Sequence, residues 1–269
     1  VFCLLAMTSL FWRRLISAAL ALFPFASAWA LTQLNVGEDQ ANQGMYSGGW
    51  NVGSGGDNGF FAWKMVSKSE GEGSYAGHYL GKLGEKPEVA PITTDRVFAL
   101  FANGKRYEES VAFRGIAIPL EPGDNFTFEI LHGPFQDKGG QDDPAPGEVG
   151  VTYRTGQADG SVEDIDLGAR LRFFAREGSA NYLITDREQE FDTGIPMTEE
   201  ALALTLTLVD ANTYDLEVIN LRDKSVKHFE GRKFGGEAGA PIQSLAFFNR
   251  NAERHDFFFN NFQLSRNIP

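Results

Sequence analysis

The 269 residues carry 36 acidic against 24 basic side chains, a net charge of −12. With no stripe of Lys and Arg to offset it, that balance repels polyanions and excludes nucleic acid as a partner. The single cysteine, Cys3, falls in a leader-like segment, which excludes a disulfide framework and a thiolate nucleophile from the mature chain; the 23 phenylalanines are left to build the core, each buried ring contributing roughly 1.5–3 kcal/mol.

Residues 1–30 have the order of a secretory leader. Arg13 and Arg14 precede the apolar run 15–25, and Ala26-Ser27-Ala28 and Ala28-Trp29-Ala30 both fit a small-x-small cleavage site. Met7 is a candidate start. Roughly a dozen apolar residues fall short of the about 20 that span a bilayer. The expectation is a cleaved signal peptide, a secreted or periplasmic protein, and no membrane insertion after cleavage. Residues 31–269 are then expected to form one domain, since all-β units routinely reach about 200–250 residues.

Leu34 and Val36 are expected to open a short edge strand. Residues 48–59 hold glycine at short intervals, so the backbone can turn tightly and take positive φ without a Cβ penalty. They feed residues 60–66, read as a strand with Trp63 in the core. A second strand spans 75–80. Residues 96–102 are apolar on both faces, as in a sheet interior, and Asn103-Gly104 signals a tight turn. A strand over 111–118 follows, and Glu121-Pro-Gly-Asp124 has the chemistry of a β-turn. Residues 125–131 alternate with period two, Phe126, Phe128 and Ile130 against Thr127 and Glu129, the mark of a half-buried strand.

Residues 133–147 are the longest irregular stretch, after which strand pattern returns over 148–155. Residues 170–175 and 180–185 are expected to pair as a hairpin, and 195–200 to form one helical turn. Leu202, Leu204, Leu206 and Leu208 alternate with Ala203, Thr205 and Thr207, which favours a strand over a helix for 201–209. Residues 213–221, 224–229, 242–248 and 257–264 complete a dozen or so strands. Short strands separated by turn residues point to a two-sheet sandwich, with a closed barrel as the competing architecture.

Four pieces carry a family resemblance: Asn58-Gly59-Phe60-Phe61-Ala62-Trp63, Asp192-Thr-Gly-Ile-Pro196, the Leu-Thr-Leu and Thr-Tyr pattern over 204–214, and Phe259-Asn260-Asn261-Phe262. Through them the chain resembles the concanavalin A-like lectin/glucanase superfamily, which includes laminin G-like modules, and more narrowly its exported bacterial members. The resemblance implies an all-β, two-sheet antiparallel jelly-roll whose concave sheet and rim loops bind glycans. One fold hosts many functions, so the activity has to be argued from a site.

Retaining glucanases of that superfamily place Glu-x-Asp-x-x-Glu on one strand, holding two carboxyl groups about 5–5.5 Å apart. The nearest match is Glu190-Phe-Asp192-Thr-Gly-Ile195, where Ile195 stands in place of the second Glu. Glu188, Glu190 and Asp192 would share a strand face, and they define the alternative reading, a glycoside hydrolase. Calcium is a candidate ligand for the acidic loop with Asp137, Asp142 and Asp143, or for the set Asn249, Asn251, Asp256 and Asn260; neither has EF-hand spacing. The four histidines stand too far apart in sequence for a zinc motif. Gly71-Glu-Gly-Ser-Tyr-Ala76 fits a dinucleotide loop only in letters, because a strand follows it instead of a helix.

Sugar binding needs an aromatic ring beside a few polar groups in a concavity. Tyr46, Trp50, Asn51, Asp57 and Asn58 lie on or beside the glycine-rich loop and are the candidate ligand-binding residues, Tyr46 and Trp50 being equally suited to packing. Asn260 and Asn261 read as structural amides bridging strands. The expected function is a non-catalytic carbohydrate-binding or surface-interaction module, with a glycan or polysaccharide as partner. A structural cell-envelope protein without ligand is the third reading.

Overall fold

A computed structural model describes residues 32–82, 92, 94–104, 106–132, 135, 145–157, 160–187, 189–251 and 256–268. The expected leader lies outside the described residues. Among the described residues fifteen strands follow one another: β1 (Thr32–Asp39), β2 (Lys64–Ser69), β3 (Tyr75–Lys82), β4 (Arg96–Asn103), β5 (Glu108–Gly115), β6 (Asn125–His132) and β7 (Glu148–Arg154); then β8 (Ala169–Arg176), β9 (Asn181–Asp186), β10 (Gln189–Pro196), β11 (Leu202–Asp210), β12 (Thr213–Asn220), β13 (Val226–Lys233), β14 (Ser244–Arg250) and β15 (Phe257–Ile268). They form two antiparallel sheets. An eight-stranded sheet runs β13-β12-β11-β6-β15-β4-β3 with β1 also paired to β15, and a seven-stranded sheet runs β10-β9-β8-β7-β14-β5-β2. The expected all-β jelly-roll sandwich is what forms, and a closed barrel is excluded by the separate edges of the two sheets.

Period-two patterning sets which side chains meet between the sheets. Phe126, Phe128 and Ile130 of β6 and Leu202, Leu204, Leu206 and Leu208 of β11 are all buried. Trp63 is fully buried at the centre. Its ring lies 5.7 Å from Phe262 of the eight-stranded sheet and 6.3 Å from Phe247 of the seven-stranded one, and Phe247 stacks on Phe259 at 4.3 Å. Such ring pairs contribute about 0.5–1.5 kcal/mol each beyond the area they bury.

Strand β15 does two jobs. Phe257–Phe259 pair with β4, whereas the chain from Phe262 onward pairs with β1, and a register shift separates the halves. Asn261 takes φ +57 at the shift, a left-handed conformation that Asn tolerates better than most residues. The Asn260 side chain accepts from Ala41 N at 2.9 Å and donates to Arg96 O at 2.8 Å, while Asn261 donates to Glu129 Oε2 at 2.7 Å. Both are structural amides, as expected.

Two expectations need correction. Residues 60–63 are not strand: Phe60 makes one isolated bridge to Ile116 and β2 begins at Lys64, because the backbone of 61–63 is engaged by Gly115 and Ser54 instead of a ladder. β4 ends at Asn103, where the Asn103-Gly104 turn signal stands, and β5 belongs to the opposite sheet. Residues 189–196 form the strand β10, and no helical turn follows, because Ile195 is buried and Met197 N is bound to Ala180 O. The Glu121–Asp124 turn does form, closed by Asp124 N to Glu121 O at 2.9 Å with Gly123 at φ +92.

Candidate functional site

The glycine-rich loop folds back over the core and does not stand out from it. Tyr46 and Trp50 are 0 % and 3 % exposed. Trp50 packs edge-on against Trp63 at 5.2 Å, and Tyr46 against Phe98 at 5.0 Å. Neither ring offers a face to solvent, so the expectation that they stack on a sugar is corrected: they are packing aromatics. Asn51, Asp57 and Asn58 are exposed on the same loop. Among the described residues the exposed aromatics are Phe61, Tyr75 and Tyr79, and Tyr79 donates to Asp256.

Beneath this loop sits a buried polar network. Arg114 and Asp39 are each 1 % exposed and meet at 2.6 Å. Tyr46 OH donates to Asp39 at 2.8 Å, Trp63 Nε1 donates to the Tyr46 oxygen at 3.0 Å, and Arg114 also donates to Phe61 O at 2.6 Å. Burial raises the Asp39 carboxyl above its ordinary value, against the opposing pull of Arg114 and the Tyr46 and Trp63 hydrogen bonds. Burial likewise lowers the Arg114 guanidinium. The network is closed to solvent and ties β1, β5 and the loop together, a structural role.

A second charged array crosses the outer face of the seven-stranded sheet. The registers place Lys68, Glu109, Arg250, Glu148 and Arg176 side by side on β2, β5, β14, β7 and β8. Opposite charges therefore alternate across five strands, the favourable cross-strand arrangement. Arg250 meets Glu109 at 2.7 Å, and Arg176 meets Glu148 at 2.7 Å and Glu190 at 2.7 Å. Arg172 lies over Phe174 and Phe248, and Val162 and Ile165 from the turn before β8 cover the same apolar patch. Every one of these carboxylates is held by a guanidinium.

The hydrolase candidates fall at the edge of this array. Glu190 and Asp192 are exposed on the edge strand β10, and Glu188 lies outside the described residues. Glu190 is gripped bidentately by Arg176. Asp192 accepts from Gly194 N at 2.7 Å and from Asn181 at 3.1 Å, which holds its carboxyl below the ordinary value. A general acid needs the opposite shift.

A concave site lies at one end of the sandwich. The β11–β12 turn, the β9–β10 turn and the chain leaving β13 enclose a cavity of about 510 Å³ lined by Arg187, Asn212, Lys233, Phe234, Gly235, Gly236 and Ala238. Long-range hydrogen bonds lace it together. Phe234 N donates to Asn212 O at 3.0 Å, Gly239 N to Asn212 Oδ1 at 2.6 Å, and Gly235 N to Arg170 O at 2.8 Å. The glycine pair is needed by the close approach: a Cβ on Gly235 would come within 2.9 Å of Arg187 N, and one on Gly236, at φ +67, within 2.9 Å of Ala169 O.

Behind the Phe234–Gly236 wall lies Arg170, 1 % exposed. Its guanidinium sits 5.3 Å from the Phe234 ring, and Tyr214 packs on that ring at 4.8 Å. Arg170 donates to Ala211 O at 3.0 Å, whereas its Nε and Nη1 are buried with no partner among the described residues. Burial lowers its pKa, countered by Glu237. Deeper still, Asp186 accepts from Tyr214 OH at 2.6 Å and from Arg232 at 2.9 Å. The cavity thus presents an amide, two exposed cations and backbone at glycine, and it holds no paired acid and base. Sequence reasoning missed it; the adjacent glycines at 235 and 236 were its one local trace.

No group of three or more His, Cys, Asp or Glu side chains able to hold a metal ion occurs among the described residues. The calcium candidates Asp137, Asp142 and Asp143 lie outside the described residues. Asn249 donates to Leu100 O, Asn251 accepts from Glu108 N, and Asn260 is engaged as above, so these three amides hold the fold.

No protein-family model matches the chain, and no curated protein matches it. Several solved structures are similar to it. A carbohydrate esterase from the Shiga toxin-encoding bacteriophage phi24B is 10 % identical, over 88 % of this chain and 100 % of that one, with a TM-score of 0.48. Lectin II from Ulex europaeus is 8 % identical, over 76 % of this chain and 93 % of that one, with a TM-score of 0.39. The family 11 carbohydrate-binding module from Clostridium thermocellum, in complex with a mixed-linked tetrasaccharide, is 12 % identical over 86 % and 96 %, with a TM-score of 0.33. These are likenesses of fold, and the two-sheet jelly-roll of this chain stands on its own strand pairing.

Proposed function

We propose that the chain is an exported, non-catalytic saccharide-binding module whose ligand sits in the cavity at the end of the sandwich. The observation that carries this reading is the cavity itself: two turns, one from each sheet, and the chain leaving β13 converge on a solvent-open concavity, and its lining supplies hydrogen-bonding groups suited to sugar hydroxyls. Asn212 has its Oδ1 fixed by Gly239 N, which orients the amide and leaves Nδ2 as a donor at the rim. Export rests on the leader-like order of residues 1–30. The non-catalytic reading is supported by Asp192, whose low proton affinity suits an anion and not an acid catalyst.

A broad glycan array probed with the full chain tests it, with calcium and with chelator. Wild type is expected to give a restricted set of signals that Arg187→Ala with Lys233→Ala weakens. A blank array in both conditions would leave the structural cell-envelope reading in its place.

A further inference from the structure

We infer that the saccharide taken by this cavity carries an anionic group, a carboxylate or a sulfate ester; the inference rests on the saccharide-binding reading above. A chain of net charge −12 places Arg187 and Lys233 on the rim of one cavity and Arg170 directly behind its wall. The nearby acids offset this set only in part. Asp186 is taken up by Arg232 and Tyr214, Asp210 caps the β11–β12 turn at Asn212 N and also attracts Lys233, and Glu237 acts on Arg170, which leaves Arg187 as the unopposed cation of the rim. Arg187 has no ion-pair partner among the described residues. The buried Nε and Nη1 of Arg170 have no protein acceptor there either, and a buried donor without an acceptor marks a place for water or an anion.

Stacking does not supply the recognition. The Phe234 ring is packed by Tyr214 and by the Arg170 guanidinium, so the cavity lacks the open aromatic face on which a neutral pyranose would lie. Charge-assisted hydrogen bonds from guanidinium and ammonium groups remain as the source of affinity, and they are the stronger kind. General attraction to polyanions is absent in so acidic a chain, so preference for a charged glycan would be local to this site.

Calorimetric titration of the full chain tests the inference with two pairs of probes. One pair is an oligogalacturonate and its methyl ester; the other is a sulfated galactan oligosaccharide and its desulfated form. The charged member of at least one pair is expected to bind about 10-fold or more tightly than its neutral partner. Arg187→Gln and Lys233→Gln should each erase most of that preference with melting temperature unchanged, and Asn51→Ala on the glycine-rich loop should not. Whichever pair responds identifies carboxylate or sulfate as the group. Equal binding of charged and neutral forms, insensitive to Arg187→Gln and Lys233→Gln, would overturn the anionic inference and leave saccharide binding standing. Binding of none of the four would overturn the anionic inference, and a blank glycan array beside it would remove the saccharide-binding reading as well.

Discussion

Replacing Arg114 with methionine removes the only cation that meets Asp39 among the described residues and leaves a carboxyl that is 1 % exposed. The lost contacts are the 2.6 Å ion pair, the 2.6 Å hydrogen bond to Phe61 O and the cation–π stacking on Trp63 at 4.7 Å. Breaking one side of a buried ion pair costs about 3–5 kcal/mol, a large share of the roughly 5–15 kcal/mol that holds a domain folded. The deficit should depend on pH. Asp39 already has a raised pKa in the fold, so the folded state holds its proton more tightly than the unfolded chain, whose value is 3.8. Such a group weakens the fold as pH rises from the unfolded value through the raised one. Without Arg114 the chief opposing influence is gone and that window extends upward. Urea unfolding of Arg114→Met should therefore show a deficit that shrinks between about pH 8 and pH 5. Adding Asp39→Asn should return part of the loss, the double variant being more stable than the sum of the singles predicts. A deficit under about 1 kcal/mol, or one unchanged with pH, would refute the reasoning.

Two further outcomes follow from the same packing. Gly55→Ala should cost about 2–4 kcal/mol in equilibrium unfolding, because Gly55 sits at φ +72 and a Cβ there would overlap the Tyr46 hydroxyl. Gly53→Ala, at φ +90 with nothing within 4 Å, should cost only the left-handed backbone term of about 1–2 kcal/mol; equal losses would show that the loop does not rest on Tyr46. Burial also pushes the phenols of Tyr46, Tyr79, Tyr107, Tyr153, Tyr182 and Tyr214 above their ordinary 10.0. The fold keeps these protons while the unfolded chain releases them, so stability should fall as pH rises above about 10. Phenolate absorbance of the native protein at about pH 11 should then stay far below that of the denatured chain, and matching curves would contradict the burial of these rings.

Much of the sandwich is legible in the chain because a half-buried strand writes its burial at every second residue. Phe126, Phe128 and Ile130, and the leucines from 202 to 208, appear in the sequence as they appear in the core. Trp63 is likewise found where its surroundings placed it. Strand β10 is legible only as the face shared by Glu188, Glu190 and Asp192, and not to its end at Pro196, because Gly194 and Pro196 look like breakers, which an edge strand tolerates. Tyr46 and Trp50 misled for a different reason: a glycine-rich loop looks exposed, yet Gly59 lets it settle against the β1 backbone near Val36 and Gly37. The charge row from Lys68 to Arg176 depends on the register of five strands, four of them distant in sequence from Glu109. The end cavity is still harder to read, since Arg187, Asn212 and Gly235 come together only through pairing of both sheets.

The most direct test is an amide-resolved NMR titration of the isotopically labelled full chain with the glycan that binds best. Shift changes should cluster at the cavity, on Asn212, Gly235, Gly236 and Gly239. Changes confined to Asn51, Asp57 and Asn58, or to the Glu109–Glu148 face, would place the ligand elsewhere and contradict the account.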